Sequence, residues 1–481
     1  MSYRVVSRYL GAILMLNALM MALSAGVSVV YGFDSAFYPL IISALITCVA
    51  GLYPVLFFLR PSQVSTREGY VIFFFAWILS CLFGMLPYLF WGGEFTLINA
   101  WYESVSGFST TGGTILSNIE MLPHGLLFWR SATHWIGGMG VVLLILMVLP
   151  EVGAARMRLS KMEISSLSKE NYQFRTQHIL RIITTIYFGI TLAATIAFFV
   201  AGMNLFDAVN HAFSTVATGG FSTKDLSILS YNSVAIEVVA MFFMMVAGMH
   251  FGLIYMTITG KPNHLFSSPV VRYYVVSLLL FGVFIAVNLF FENIEVSFWS
   301  ALRKGLFQSI SLGTTTGFAT ADSSLWPSFS IILLLFLSLQ CGCSGSTSGG
   351  IKVDRICIFK ASLKTQMQKQ LHPNAYIPVK LGKVTLEPET VASVNLFIVL
   401  YLLILFIVGF ILSLFGHNLL DGLTSSIAHI GNVGPGFGSV GSLSNYAHFS
   451  TASKIVLTIE MLLGRLEIYG FLLIFFVYRW R

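Results

Sequence analysis

Four short segments decide the fold expected for this chain: Thr111-Gly112-Gly113, Thr218-Gly219-Gly220, Thr315-Thr316-Gly317 and Asn432-Val433-Gly434. Each follows a half-length apolar run, and their last glycines are 107, 97 and 117 residues apart. That period is about the length of a helix–loop–helix unit, and a fixed period indicates a repeat architecture. A polar, glycine-bearing segment after a short apolar helix is typical of a pore loop. Four of them predict a ring around an ion path.

The composition of the chain is that of an integral membrane protein. Hydrophobic residues make up 56% of the 481 residues, charged residues make up 10%, and the mean hydropathy is +0.82. A soluble domain carries about 25% charged residues, so a soluble protein is excluded. The first apolar run is too long for the core of a signal peptide, and no small-residue cleavage site is evident. We therefore expect a retained first helix.

Apolar runs of two lengths alternate along the chain. We expect full-length spans near 9–31, 38–59, 69–92, 127–149, 180–202, 233–258, 272–291, 329–343, 392–415 and 453–478. Shorter helices are expected near 97–110, 205–217, 299–313 and 420–431. At about 1.5 Å per residue these reach only halfway across a bilayer. The sequence thus predicts an all-α integral membrane protein with four helix–pore-loop–helix repeats and two extra N-terminal transmembrane helices.

The predicted domains follow from this alternation. They are an N-terminal helix pair at 1–66, pore repeat 1 at 67–160, pore repeat 2 at 161–265, pore repeat 3 with a broken second helix at 266–375, and pore repeat 4 at 376–481.

The basic residues favour one side of the predicted topology. Of the 27 lysines and arginines, 21 fall on one side, with clusters at 4–8, 156–181 and 352–383. The positive-inside rule makes this side cytoplasmic and places both termini there. The basic stretch 352–383 is a candidate docking surface for a soluble partner. Cytoplasmic loops and anionic headgroups of the lipid bilayer explain the net charge of +7, so no nucleic-acid partner is required.

The four segments have the chemistry of a cation filter. Extended backbones meeting on an axis can replace an ion's hydration shell with carbonyl oxygens, and glycine permits the φ angles that this needs. No concentrated ring of acidic residues lies at the segments, so a monovalent cation fits better than a divalent one. A single such segment would more often be a tight turn between helices; four at matched positions favour the pore. The candidate filter residues are Thr110, Thr111, Gly112, Gly113, Thr218, Gly219, Gly220, Thr315, Thr316, Gly317, Asn432, Val433 and Gly434.

Carboxylates are expected at the starts of three pore helices, where they suit the positive end of the helix dipole. They are Glu103, Asp207 and Asp421, whereas Arg303 and Lys304 occupy the unfavourable position in the third repeat.

Arg465 lies within the last apolar span, where a charge costs at least about 2.5–3.5 kcal/mol. We interpret it as a pore barrier whose guanidinium projects into the ion path below the filter. The alternative is a structural ion pair with Glu467 or Glu460, although neither spacing suits a helix.

A glycine-rich segment interrupts the second helix expected in the third repeat. It reads Ser344-Gly345-Ser346-Thr347-Ser348-Gly349-Gly350, and each glycine inside a helix costs about 1 kcal/mol relative to alanine. We interpret Gly345, Ser346, Thr347, Ser348, Gly349 and Gly350 as a gate loop beneath the filter. The alternative is a simple helix break packed against a neighbour. The segment does not match a phosphate-binding loop, since Ile351 precedes Lys352.

These motifs together resemble the TrkH family of bacterial Trk potassium uptake systems, within the superfamily that includes KtrB and plant HKT proteins. The resemblance covers essentially the whole chain. It is carried by residues 109–113, 216–223, 313–320 and 431–438, and by His134-Trp135-Ile136-Gly137-Gly138-Met139-Gly140, Cys343–Lys352 and Gly464-Arg465-Leu466-Glu467.

The resemblance implies several properties that spacing alone does not. It implies a pseudo-fourfold arrangement, a homodimer, a bacterial inner-membrane location and a cytoplasmic ring of nucleotide-binding TrkA-type subunits that controls opening. It implies K⁺ as the transported ion and no organic cofactor. It also places Gly113 at the filter position where glycine accompanies potassium permeation. The fourth segment departs from the other three, with Asn432 in place of threonine and Pro435 following. Fewer hydroxyl ligands there should weaken ion selectivity relative to a symmetric tetrameric potassium channel.

Two classes of function remain open. No strand-borne Gly-x-Gly-x-x-Gly and no nucleophile–base constellation occurs, so we do not expect an enzyme. The leading hypothesis is a gated, channel-like potassium pore. The alternative is a coupled secondary transporter with Na⁺ or H⁺ symport, since such folds also contain broken helices at the membrane midplane. Four repeats of one topology favour the channel, because transporters usually have two inverted halves.

Overall fold

The computed structural model describes residues 2–58, 65–148, 176–260, 264–382 and 384–473. The expected boundary between repeats 1 and 2, the basic residues at 156–175 and the end of the last span at 474–478 lie outside this part of the chain.

The N-terminal helices α1 (Tyr3–Val30) and α2 (Phe37–Phe57) form a closely packed pair. Gly11 and Gly51 lie at their crossing. A Cβ atom on Gly11 would come within 2.6 Å of the Gly51 carbonyl oxygen, and one on Gly51 within 2.7 Å of the Gly11 carbonyl oxygen. Small residues of this kind let two membrane helices approach backbone to backbone.

Four helix–pore-helix–helix units follow, as predicted. The first contains α3 (Thr66–Gly84), α4 (Leu86–Trp91), α5 (Leu97–Ser109) and α6 (His124–Val148). The second contains α7 (Thr176–Val200), α8 (Leu205–Val216), α9 (Val234–Ala247) and α10 (Phe251–Thr259).

After the short helix α11 (His264–Ser267), the third unit contains α12 (Pro269–Phe291), α13 (Phe298–Gly313), α14 (Ser328–Gln340) and α15 (Val353–Leu371). A small antiparallel hairpin, β1 (Lys380–Leu381) and β2 (Val384–Thr385), leads to the fourth unit. That unit contains α16 (Pro388–Leu414), α17 (Leu419–Ile430), α18 (Thr451–Arg465) and α19 (Ile468–Leu473).

The four pore helices are α5, α8, α13 and α17, with 13, 12, 16 and 12 residues. At 1.5 Å per residue they are about 18–24 Å long, too short to cross a hydrocarbon core of about 30 Å. Within the described residues, six helices are long and apolar enough to span a membrane, and the bent pair α9–α10 would make a seventh. The result is an all-α integral membrane protein of the predicted class.

The prediction of one continuous helix over 233–258 is wrong. The chain turns by 99° between α9 and α10. The backbone groups freed at this break bond to the glycine-rich segment and to the residue before it: Cys343 N donates to the Gly248 carbonyl at 2.9 Å, and Phe251 N donates to the Gly345 carbonyl at 3.2 Å. The break coincides with Gly248, His250 and Gly252, which interrupt the apolar run, but the tertiary contacts that hold it cannot be read from that run.

The last span is also broken. Helix α18 ends at Arg465, and Glu467 has a left-handed φ of 53° before α19 begins. Arg465 therefore lies at the end of a helix rather than within a continuous span.

The starts of the pore helices agree with the prediction in two repeats. Asn204 and Asn418 cap α8 and α17, accepting hydrogen bonds from the backbone N–H of Asp207 and Asp421 at 2.8 Å in both cases. The expectation for Glu103 is wrong, because Glu103 lies in the middle of α5. In the third repeat, Lys304 pairs with Glu295 and Arg303 lies 3.3 Å from Glu237. Partial burial raises the pKa of Glu295, but the hydrogen bonds from Lys304 and Ser300 outweigh it and leave that pKa below its ordinary value.

Candidate functional site

All four pore helices end in the same backbone motif. The N–H of Thr110, Thr218, Thr315 and Asn432 bonds to the carbonyl three residues earlier, at 3.0–3.2 Å, and the next N–H bonds to the carbonyl five residues earlier, at 2.8–3.0 Å. This is the Schellman motif, which needs one left-handed residue. The four residues have φ of 55°, 54°, 61° and 51°. A β-branched residue is strained there, and repetition of such strain indicates a functional constraint.

A second left-handed position follows two residues later. It is occupied by Gly112, Gly220, Gly317 and Gly434, with φ of 82°, 83°, 81° and 95°. These angles fix the register of four equivalent stretches. We name them quarter 1 (Thr110–Gly113), quarter 2 (Thr218–Phe221), quarter 3 (Thr315–Phe318) and quarter 4 (Asn432–Pro435).

The register corrects the first quoted segment by one residue. Thr110-Thr111-Gly112, and not Thr111-Gly112-Gly113, is equivalent to Thr218-Gly219-Gly220. Gly113 was expected at the key filter position, but Gly112 is the residue that aligns with the other three glycines. Gly113 is the fourth residue of quarter 1 and aligns with Phe221, Phe318 and Pro435.

The quarters contact one another in a closed cycle. A Cβ atom added to Gly112 would collide with the carbonyl oxygen of Gly219, one on Gly220 with that of Thr316, and one on Gly317 with that of Val433. A Cβ atom on Gly434 would lie 2.5 Å from the carbonyl oxygen of Thr111, which closes the cycle. The glycine of each quarter therefore packs against a carbonyl of the next, and the four backbones surround one axis.

The segments that lead from each quarter to the next long helix repeat the same order; we name them limb 1 (114–123), limb 2 (222–233), limb 3 (319–327) and limb 4 (436–450). Ile119 N donates to Asp225 Oδ1 at 2.5 Å and Leu229 N to the Ala319 carbonyl at 3.1 Å. Ser323 N donates to Ser442 Oγ at 3.1 Å, and Tyr446 N donates to the Thr114 carbonyl at 2.8 Å. A second ring of contacts thus joins limb 1 to 2, 2 to 3, 3 to 4 and 4 to 1.

Quarter 4 differs from the others in its side chains. Asn432 Nδ2 donates to Thr111 Oγ1 at 2.9 Å and to the Met461 carbonyl at 3.0 Å. In quarter 3, Thr315 Oγ1 instead accepts a hydrogen bond from Gly349 N at 3.1 Å. The Oγ1 of Thr110 is buried and has no hydrogen-bond partner among the described residues. In quarter 2, Thr218 Oγ1 donates to the Ala217 carbonyl at 2.7 Å. The side chain at the first left-handed position therefore differs in its contacts in all four quarters.

An ion pair behind quarter 1 was missed by the sequence reasoning. Arg130 Nη2 lies 2.8 Å from Glu103 Oε1, and both side chains are almost fully buried. Glu103 Oε2 also accepts from Ile115 N at 3.1 Å, while Arg130 Nη1 donates to the Ser222 carbonyl at 3.2 Å. The pair thus fastens the limbs of quarters 1 and 2 to each other. The sequence does contain a signal for this ion pair, since Arg130 lies inside an expected span and Glu103 inside an expected pore helix.

The glycine-rich segment Ser344–Gly350 lies against the C-terminal ends of three pore helices. Thr347 Oγ1 donates to the Val216 carbonyl at 3.0 Å, at the end of α8. Gly349 N donates to Thr315, and a Cβ atom on Gly349 would lie 2.9 Å from Asn432 Oδ1. The segment thus contacts the first residue of quarters 3 and 4, and residues 346–350 are buried.

Arg465 connects this segment to the first repeat. Its Nη1 donates to the Thr347 carbonyl at 2.7 Å and its Nη2 to the Gly137 carbonyl at 3.2 Å. The alternative of an ion pair with Glu467 or Glu460 is wrong. Glu467 pairs with Arg355 at 2.8 Å, and Glu460 accepts from Ser426 Oγ at 2.5 Å. Arg465 is 3% exposed and lies among backbone carbonyls.

Comparisons with known proteins agree with this architecture. The model of the TrkH family, described as cation transport proteins, matches residues 40–479. The chain is 32% identical to the Trk system potassium uptake protein TrkH of Salmonella typhimurium over 100% of both chains, and 33% identical to TrkG of Escherichia coli over 99% of both. The crystal structure of the potassium transporter TrkH from Vibrio parahaemolyticus superposes with a TM-score of 0.91, at 30% identity and 100% coverage of both chains.

Alanine in place of Gly220 should disable the site. The substitution forces an L side chain to a φ of 83° and drives its Cβ atom into the Thr316 carbonyl. The left-handed conformation alone costs about 1–2 kcal/mol, so we expect Rb⁺ uptake by cells to fall about tenfold or more. The matched control is Gly189→Ala on α7, where an added Cβ atom meets nothing within 4 Å. Normal uptake by Gly220→Ala would contradict the packing described above.

Removal of Arg130 should destabilise the protein strongly. Arg130→Met leaves the Glu103 carboxylate buried without its partner, which costs about 3–5 kcal/mol. Thermal unfolding in detergent should show a marked fall in midpoint, and adding Glu103→Gln should recover part of it. The control is Lys224→Met, since Lys224 and Glu120 are 34% and 46% exposed in their pair and the loss should be about 1 kcal/mol or less. Equal losses for Arg130→Met and Lys224→Met would rule out a special role for the buried pair.

Proposed function

Because the chain belongs to the TrkH family of cation transport proteins, we propose that it forms a gated, channel-like pore for potassium uptake across a bacterial inner membrane. The observation that carries the proposal is the closed cycle of four backbone quarters, each with its glycine against a carbonyl of the next. Potassium is chosen because the full-length relatives are Trk system potassium uptake proteins.

The ligands around the axis support a monovalent cation. Carbonyl oxygens can replace the hydration shell of such an ion without adding formal charge. Divalent cations favour carboxylates, and the part of the chain described by the structure holds no group of three or more His, Cys, Asp or Glu residues that could bind a metal ion. In the filter, the carbonyls of quarters 1 to 4 would hold K⁺, and the buried hydroxyl of Thr110 could add an oxygen ligand.

The glycine-rich segment and Arg465 fit a closed gate. Thr347 and Gly349 bond to the C-terminal end of α8 and to Thr315, so in the proposed pore an ion that leaves the filter at the pore-helix ends would meet the segment Gly345–Gly350. The guanidinium of Arg465 adds a positive charge at the same level and holds the Thr347 carbonyl. Conduction would require the segment to move and the arginine to release it.

The surface of α15 supports a cytoplasmic partner. Phe359, Leu363, Met367 and Leu371 are spaced four residues apart and are 42%, 54%, 63% and 77% exposed. Lysines at 360, 364 and 369 flank this stripe. We place here the docking surface for a nucleotide-binding ring of TrkA type, with both termini of the chain on the same cytoplasmic side. The pore would work as a homodimer, and its repeats would divide at residues 66, 160, 265 and 375.

The alternative of a coupled transporter has less support. Such folds are usually built from two halves of opposite topology. Here all four pore helices end in the same motif, and their limbs bond in one cyclic order. One shared topology favours a single axial path.

Currents across a planar bilayer test the proposal most directly. Protein reconstituted with its cytoplasmic partner should give unitary currents carried by K⁺ and Rb⁺, because a pore passes many ions per opening. Flux that saturates at a turnover rate, depends on a Na⁺ or proton gradient and never resolves into unitary openings would instead establish the coupled transporter.

Loss of Arg465 should open a leak. Arg465→Ala removes two charge-assisted hydrogen bonds, each worth about 1.5–3 kcal/mol, which join the Thr347 carbonyl of the glycine-rich segment to the Gly137 carbonyl of α6 through the guanidinium. We expect basal Rb⁺ flux into proteoliposomes to rise about tenfold or more without the partner. The control is Lys454→Met on the same helix, because Lys454 bonds to Asn99 and Ala447 and not to the segment. A basal flux that stays at the unsubstituted level in Arg465→Ala would exclude the barrier.

A further inference from the structure

Serine hydroxyls in the pore helices hold carbonyls of the filter. Ser106 Oγ donates to the Gly113 carbonyl and Ser311 Oγ to the Phe318 carbonyl, both at 2.6 Å. Each serine lies four residues before the first left-handed residue of its quarter, and each braced carbonyl belongs to the fourth residue. The brace fixes the direction in which that peptide unit points.

The other two pore helices depart from this pattern. Ser214 occupies the same position in α8, but its hydroxyl contacts His134 Nδ1 at 3.1 Å. In α17 the position is Ala428, which has no hydroxyl to donate. Quarter 4 therefore lacks the brace that quarters 1 and 3 have. It is also the quarter whose sequence differs most from the others, because it contains Asn432 and Pro435.

Tyr446 supplies a donor to quarter 4 from a different direction. Its phenolic hydroxyl donates to the Gly434 carbonyl at 2.9 Å, within one residue of the carbonyl position braced in quarters 1 and 3. Within the described residues, no side chain donates to the carbonyls of the equivalent glycines Gly112, Gly220 and Gly317. The bond is thus particular to the fourth quarter.

The ring of Tyr446 is held on several sides. Its backbone N–H bonds to the Thr114 carbonyl at 2.8 Å, and the rings of His429 and Phe449 lie 4.8 and 5.3 Å from it. Tyr102 packs at 5.9 Å and shares a hydrogen bond of 2.7 Å with His429 Nε2. Tyr446 is 2% exposed, so the packing of its ring fixes the position of the hydroxyl independently of the hydrogen bond to Gly434.

We propose that Tyr446 is a positioning residue that determines ion selectivity by holding the Gly434 carbonyl in place. The inference rests on the proposed potassium pore. A carbonyl oxygen has two lone pairs, so one can accept from Tyr446 while the other faces the ion path. A carbonyl held from behind cannot move inward to coordinate a smaller ion. The bond therefore favours K⁺ over Na⁺ in the quarter whose pore helix has no serine at the bracing position.

Tyr446→Phe tests the inference, because it deletes the hydroxyl and keeps the ring. We expect the ratio of K⁺ to Na⁺ permeability in proteoliposomes to fall about two- to tenfold, the factor equivalent to one neutral hydrogen bond. The matched control is Tyr401→Phe. Tyr401 is also buried in the fourth repeat, but its hydroxyl has no hydrogen-bond partner among the described residues, so the ratio should not change.

A rescue separates positioning from a general loss of structure. Ala428→Ser restores a hydroxyl at the place of Ser106 and Ser311, so in the Tyr446→Phe background it should recover part of the lost ratio. In the unsubstituted protein it should maintain or raise the ratio, which tests the idea even if Tyr446→Phe does not fold.

Three outcomes overturn the role of Tyr446: an unchanged ratio in Tyr446→Phe, an equal fall in Tyr401→Phe, or a lower ratio in Ala428→Ser alone. Absence of potassium flux in the unsubstituted protein would refute the proposed function itself, and the inference with it. Flux with an unaltered ratio removes only the inference.

Discussion

The fold depends on one constraint: backbone that is not helical must still have its polar groups satisfied where no water can reach them. The protein meets the constraint at the end of each pore helix with two internal hydrogen bonds, and each quarter then packs its glycine closely against a carbonyl of the next. Both features require left-handed residues, so threonine or asparagine and then glycine recur at fixed places. The same geometry leaves a set of carbonyl oxygens around one axis. In the pore that we propose, a structural requirement of the membrane thus supplies the oxygen atoms of the cation path.

Charge is kept out of the ring and used behind it. The Glu103–Arg130 pair joins the limbs of quarters 1 and 2, and the carboxylates of Asp207 and Asp421 bind the limbs of quarters 2 and 4 through Thr223 and Ser439. Each of these groups bonds to the chain just beyond a filter quarter. A buried ion pair adds little to stability unless its hydrogen bonds are complete, and here they position the backbone. Neutral carbonyl oxygens can therefore line the proposed filter, while charged side chains hold the limbs behind it.

The sequence predicts the periodic parts of this molecule and misses those that depend on contact. The short pore helices and the threonines and glycines that follow them can be predicted, because the length of the apolar runs and the spacing of the glycines are visible in the sequence. The register of quarter 1 cannot, since Thr110-Thr111-Gly112-Gly113 allows two alignments that only the φ angles distinguish. The break between α9 and α10 is equally hidden, because Gly248 is freed by a bond to Cys343 more than ninety residues away. The position of Arg465 likewise depends on its hydrogen bond to Thr347 in the glycine-rich segment, and the apolar pattern of the last span does not predict that contact.

The filter and the glycine-rich segment are one hydrogen-bonded unit, and this has a consequence for gating. Thr315 contributes its backbone to the ring and its hydroxyl to Gly349, while Thr347 caps the end of α8 just before quarter 2. Any movement of the segment must therefore break bonds to filter residues. Coupling of this kind is reciprocal in free energy, so an ion that orders quarter 3 must also bias the position of the segment. In the pore that we propose, the ion path and its closure would then share residues, and occupancy of the filter would be one of the terms that decide whether the pore is open.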